Sequence, residues 1–258
     1  MKVTALLENT TKNDSMLTEH GLSLYIETNE HKILFDMGQT DLFLKNAKVL
    51  GIDIADVDIA ILSHGHYDHG GGLAKFLEIN KKAPVYISSH AFEPHYNGKE
   101  KYIGLDTSIK DNSRLIYVEN EKIIDTSLEL YSCNERERPN DLGSFGLTKR
   151  MGDELLPDDF SHEQYLLIKE SNKRILISGC SHKGIVDIVS WLTPGILIGG
   201  FHLSKMMPCP ELDKIGDMLE ESKALYYTCH CTGTEQYEYM KKRMSRLYYL
   251  SCGDMIEI

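Results

Sequence analysis

Apolar residues along this chain fall into short runs whose spacing switches between a period of two and a helical period. Residues 2–8, 22–28 and 32–36 read as strands, the last two joined through Asn29-Glu30-His31 as a hairpin. Over 40–50, Phe43, Ala47 and Leu50 share one helical face, and Gly51 stops the helix. An apolar run of strand length at 57–62 ends abruptly in a histidine cluster, followed by a helical pattern over 71–79 and a strand at 84–88. From about 90 to 160 the periodicity is poor, and polar turns such as Arg138-Pro139-Asn140-Asp141 interrupt it. Long irregular stretches in compact domains are commonly binding loops or lids, so this one reads as an irregular cover over a site.

Regular spacing returns at Tyr165–Glu170 and 174–178, joined through Ser171-Asn172-Lys173. Ile185, Ile188, Val189 and Leu192 then recur at i, i+3, i+4 and i+7, the signature of a helix with one apolar face. Beyond them come a strand at 195–199 and a helix opened by Pro210 with Leu212, Ile215 and Leu219 on one face. A strand at 223–227, a helix over 234–245 and strands at 246–250 and 254–257 complete the pattern. Strands and helices in both halves predict an α/β (α+β) chain. Two sheets would pack together with helices outside, in one domain spanning 1–258.

Composition narrows the partners. At 258 residues with 41% hydrophobic and 26% charged content, the chain is that of an ordinary globular protein. No apolar run is long enough to span a bilayer, and the N-terminus lacks the apolar core and cleavage site of a signal peptide, so no membrane association and a cytoplasmic location are expected. The formal charge of −11 argues against nucleic acid, whose binding needs clustered Lys and Arg, and favours a small-molecule substrate. Without a secretion signal, the six cysteines are expected to be reduced thiols or metal ligands.

The chemistry concentrates in Ser63-His64-Gly65-His66-Tyr67-Asp68-His69, directly after the strand at 57–62 and directly before Gly70-Gly71-Gly72. A strand end followed by a tight, glycine-flanked loop can turn His64, His66, Asp68 and His69 towards one point. Neutral imidazole suits zinc, iron or manganese, and a carboxylate adds charge neutralisation and a base. These residues are therefore expected to bind metal that activates water.

The pattern H-x-H-x-D-H resembles the metallo-β-lactamase superfamily. That resemblance implies an αββα four-layer sandwich and two divalent ions, zinc or else manganese or iron. His64 and His66 would hold the first ion, and Asp68 and His69 the second. Asp36, in Leu34-Phe35-Asp36-Met37-Gly38, would be a carboxylate that orients a ligand histidine. In Ser178-Gly179-Cys180-Ser181-His182 the superfamily normally has Gly-Asp, its Asp bridging both ions. Here either the Cys180 thiolate takes that place, or the bridge is lost and His182 ligates from two residues later. His230, in Cys229-His230-Cys231-Thr232-Gly233, matches the late histidine of the second ion. The flanking cysteines alternate in direction and no second Cys pair exists, so no separate structural zinc is expected there. His202 would ligate or contact substrate, and His162 lies where many members place the third ligand of the first ion. With His20, these two are read as substrate contacts or supporting groups. His90 and His95 fall in the cover.

Further segments narrow the resemblance to the branch similar to the dihydropterin–ribofuranosylaminobenzene phosphate synthase of methanopterin biosynthesis. They are Leu7-Glu8-Asn9-Thr10, Glu19-His20-Gly21-Leu22-Ser23, Gly179-Cys180-Ser181-His182, Gly199-Gly200-Phe201-His202-Leu203 and His230-Cys231-Thr232-Gly233. The resemblance implies a metal-dependent hydrolase of a small anionic substrate, phosphorylated or an ester, acting through a metal-bound hydroxide. Asp68 would orient the hydroxide and shuttle its proton, and the helix start near Lys183-Gly184 would suit an anionic group. The alternatives are a dihydropterin-diphosphate-dependent transferase and an iron-binding redox or sensing protein.

Overall fold

Ser23–Glu27 and Lys32–Phe35 form the expected hairpin, closed by a bond from the Thr28 N–H to the His31 carbonyl (2.9 Å), so that Glu27 pairs with Lys32. Lys2–Leu7 runs antiparallel beside Ser23–Glu27, and Met255–Glu257 runs antiparallel along its other edge. After Phe35 the connections change character. The helix Leu42–Val49 carries the chain to Ile59–Ile61, and the helix Leu73–Ile79 carries it to Val85–Ser88. Such crossovers return the chain in the same direction, so these strands and Leu115–Val118 pair in parallel. The seven strands form one sheet of a first compact unit, residues 1–119, 146–163 and 251–258 of a computed structural model that describes residues 1–258. Leu34, Ala60, Leu62 and Ile87 pack in one core with Phe43 and Phe76 from the helices, each fully buried aromatic contributing about 1.5–3 kcal/mol. Asn46 is fully buried as well. Its Nδ2 donates to the Leu6 and Leu17 carbonyls (both 2.7 Å), and its Oδ1 accepts from the Leu17 N–H (2.9 Å).

The second unit, residues 120–145 and 164–250, has its own seven-stranded sheet. Ser171 and Asn172, at φ 52 and 60, make the two-residue turn between Tyr165–Glu170 and Lys173–Ile177. From there the helices Ile185–Leu192, Pro210–Glu221 and Thr234–Met240 alternate with parallel strands Ile196–Gly199, Leu225–Thr228 and Leu247–Tyr249. Ile188, Leu192, Leu212, Leu219 and Met240 share a core with Tyr165, Leu176, Leu197 and Tyr226.

The stretch from 90 to 160 is more regular than its sequence suggests. His95–Asn97, Lys101–Tyr102, Leu147–Met151 and Glu154–Pro157 form a four-stranded antiparallel sheet within the first unit. Leu115–Val118 belongs to the first unit's large sheet, whereas Glu121–Ile123 and Leu128–Tyr131 extend the second unit's. These strands are two to five residues long, Lys101–Tyr102 and Glu121–Ile123 are wholly exposed, and only the four residues Leu128–Tyr131 alternate cleanly, too short a run to stand out. No helix is long and apolar enough to cross a membrane.

Candidate metal centre

In the first unit, Asp36 follows the carboxyl end of Lys32–Phe35 and the histidine cluster follows Ile59–Ile61. Phe35 pairs with Ile61 in the parallel register, so both loops leave the same edge of the sheet. The carboxyl edge of parallel strands is where open α/β sheets gather ligand-binding groups. His66 caps a single helical turn, Tyr67–Gly70, which carries Asp68 and His69. His64, His66, Asp68 and His69 are all buried, with the His64 ring 4.6 Å from that of His66 and 4.1 Å from that of His69. At Gly65 the backbone passes so close to the Ala91 carbonyl that any Cβ would collide with it.

Asp36 organises this loop from a left-handed backbone conformation (φ 60). Its carboxylate accepts from the Ser63 N–H (2.7 Å), from the Ser63 hydroxyl (2.7 Å) and from His69 Nδ1 (2.6 Å). The Ser63 hydroxyl also lies 2.8 Å from His64 Nδ1. With the Nδ1 sides engaged, the Nε2 side of His69 faces Asp68, 3.9 Å from Oδ2. Burial, then the neighbouring imidazoles His69 and His66, push His64 well below the usual histidine range; burial and His162 do the same to His66. Both rings are thus neutral and keep a lone pair. Asp68 Oδ2 is also 3.2 Å from Nε2 of His20, whose side chain is 58% exposed.

His162 is fixed by the same loop. The Gly65 N–H donates to His162 Nδ1 (2.9 Å), which leaves the ring proton on Nε2, 3.4 Å from Asp158 Oδ2. That ring supports the His64–His66 loop through its main chain. His95 donates from Nδ1 to the same Asp158 oxygen (2.9 Å), and its Nε2 is buried without a hydrogen-bond partner. Burial alone would raise Asp158, but His162 and His95 hold it far below the usual carboxylate range. Sequence reasoning missed Asp158, although it stands four residues before His162. Nothing in the sequence marked His95 as its partner.

In the second unit the parallel register pairs Ile177 with Ile198 and Gly199 with Thr228, so three loops start level at one edge. They carry Cys180 and His182, His202, and His230 with Cys231. Ser181, His202 and His230 hold left-handed φ values of 59, 53 and 47, strain that side-chain placement at a site can justify. Cys180, His182, His230 and Cys231 are buried, His202 is half-buried, and the His182 and His202 rings lie 4.2 Å apart. The Cys231 thiol is opposed by burial, yet hydrogen bonds with Cys180 and His202 and the nearby imidazoles bring it well below its ordinary value. At the start of Ile185–Leu192, the acidic group already present is Asp187, which accepts from Asn140 N–H (3.0 Å) and Nδ2 (2.7 Å). Lys183 is buried and donates to the Ser132 carbonyl (2.6 Å).

The first unit's donors fit a divalent cation: neutral imidazoles, one carboxylate, and a buried Asp36 that fixes the proton of His69 on Nδ1. A family model described as the metallo-beta-lactamase superfamily matches residues 18–215. An uncharacterised protein of Methanocaldococcus jannaschii is 32% identical over 240 residues, covering 88% of this chain and 90% of that protein. The 7,8-dihydropterin-6-methyl-4-(beta-D-ribofuranosyl)-aminobenzene-5'-phosphate synthase of the same organism is 29% identical over 249 residues, covering 86% and 83%. The crystal structure of a metal-dependent hydrolase of the beta-lactamase superfamily superposes with a TM-score of 0.86 at 29% identity, covering 100% of this chain and 99% of that one. On its sequence, its mixed α/β fold and its His/Asp clusters together, the chain belongs to the metallo-β-lactamase superfamily, whose members bind divalent metals and are mostly metal-dependent hydrolases.

Proposed function

We propose that the protein is a metal-dependent hydrolase acting on a small anionic substrate, phosphorylated or an ester, at His64, His66, Asp68 and His69. The observation that carries this reading is the buried set of neutral imidazoles beside one carboxylate, with His69 oriented by Asp36. On the second unit, His182 and His230 are the donors the same reading gives to metal, on the spacing of their motifs, with the bridge at position 180 lost. Two divalent ions, zinc or else manganese or iron, would supply Lewis acidity and lower the pKa of water. Asp68 orients the attacking water and takes its proton at Oδ2. His20, 3.2 Å from that oxygen and open to solvent, passes the proton on. His162 and Asp36 hold the loop and the His69 ring in place while this happens.

A second reading is transfer to an acceptor other than water, favoured by the 29% identity to a dihydropterin-linked synthase. The test is metal analysis of the purified protein with a substrate panel of phosphodiesters, thioesters, lactones and a dihydropterin diphosphate, with products identified. Hydrolysis of a panel member by the wild type, lost together with bound metal in His66→Ala, is the expected result. Unchanged metal content in His66→Ala, or a transfer product with no hydrolysis, overturns it.

A further inference from the structure

Cys180, His202 and Cys231 sit one on each of the three loops that start level at the second unit's sheet edge. One donor atom from each, two Sγ and one imidazole nitrogen, lie within 4.8 Å of one another. A tetrahedral zinc with bonds of about 2.3 Å to sulfur and about 2.0 Å to nitrogen asks for donors roughly 3.5–3.8 Å apart, so a small inward shift supplies three of its four ligands and leaves the fourth to water. Two independent features point to an occupant. His202 Nδ1 is buried with no hydrogen-bond partner, a cost that a bound cation would remove. The His202 backbone N–H donates to Cys231 Sγ (3.3 Å), which ties that sulfur to the loop carrying the His202 ring. A cradle has been cleared for that sulfur, because a Cβ on Gly200 would collide with it.

We infer that Cys180, Cys231 and His202 form a thiolate-rich cation site in the second unit, taking zinc or another thiophilic divalent ion. The sequence led to no separate zinc here, since Cys229 and Cys231 alternate in direction; Cys229 is not in the group, and the second sulfur comes from Cys180, 51 residues before Cys231. As a thiol, Cys231 donates to the Cys180 carbonyl (3.5 Å), a weak S–H bond given up when the ion binds and both thiol protons leave to solvent. Soft sulfur donors favour zinc over manganese or magnesium, which prefer oxygen. The site stands whether or not the protein is a hydrolase.

The test is a titration of the full-length, chelator-stripped protein with cobalt(II). The expected signal is a near-ultraviolet thiolate-to-cobalt charge-transfer band of two-thiolate intensity. Cys231→Ser lowers it by about half, while Cys209→Ser, at a partly exposed cysteine outside the group, leaves it intact. Cadmium NMR of the wild type reads the same point without any variant, through a shift in the range of two-sulfur coordination. Cobalt bound without a thiolate band, a band that Cys231→Ser does not change, or a cadmium shift typical of nitrogen and oxygen donors alone overturns the site. Failure of the hydrolase reading is distinct: it appears as absent turnover with the thiolate band in place.

Discussion

Asp36 offers the sharpest test of how the histidine loop is held. Its buried carboxylate satisfies the Ser63 N–H, the Ser63 hydroxyl and His69 Nδ1. In Asp36→Ala the hydroxyl can turn to His64 Nδ1, 2.8 Å away, but the Ser63 N–H and the His69 Nδ1–H lose their acceptor. Each stranded buried donor costs about 1–3 kcal/mol, and alanine at a φ of 60 adds about 1 kcal/mol, for a total of about 3–7 kcal/mol. Asp36→Asn behaves differently, since asparagine tolerates that backbone and keeps one acceptor oxygen. Its amide nitrogen meets His69 Nδ1 as a donor, which drives the ring proton to Nε2, the atom proposed to hold metal. Asp36→Asn should therefore fold within about 2 kcal/mol of wild type yet bind metal ~10–100-fold more weakly. Urea unfolding of the chelator-treated proteins reads the first quantity, and competition with a chromophoric chelator reads the second. Wild-type metal affinity in Asp36→Asn, or an unchanged urea midpoint in Asp36→Ala, would refute the reasoning.

Two further outcomes rest on buried groups. His64 and His66 lie well below the ordinary 6.5 of imidazole, so below that pH the unfolded chain takes up protons that the folded chain refuses. Stability of the metal-free protein is complete above about 6.5 and falls as pH drops, by about 1.4 kcal/mol per histidine for each full pH unit below it. Equal urea midpoints at about pH 7.5 and about pH 5.5 would contradict this. Asn46→Ala removes the three hydrogen bonds that tie Leu42–Val49 to Leu6 and Leu17, and should cost about 2–4 kcal/mol in the same assay. A loss under about 1 kcal/mol would mean that water replaces the amide.

Where one residue's role followed from its neighbours in sequence, the chain was readable. The apolar run before His64 gave a strand, the His-x-His-x-Asp-His spacing gave the cluster, and Ile185, Ile188, Val189 and Leu192 gave a helix that is present. Pairings made by tertiary approach were not. His95 meets Asp158 63 residues later through a short sheet whose strands are too brief and exposed to alternate. Cys229 is the cysteine beside Cys231 in sequence, whereas the sulfur grouped with it in space belongs to Cys180. The helix expected to reach 245 stops at Met240, since its apolar spacing continues into a turn that precedes Leu247–Tyr249.

The threading of the chain through its two units has a consequence for synthesis. Residues 1–119 belong to the first unit, but its outermost strand, Met255–Glu257, is made after the whole of the second unit's sheet. Until then Lys2–Leu7 has a partner on one side only, and its other edge presents unpaired backbone groups in a strand that carries Val3, Ala5, Leu6 and Leu7. Such an edge invites pairing with another chain. Loss of the segment from 251 onward would also remove the bridge between Thr11 and Cys252. A nascent or clipped chain is therefore most exposed to aggregation at its first strand, far in sequence from the missing residues.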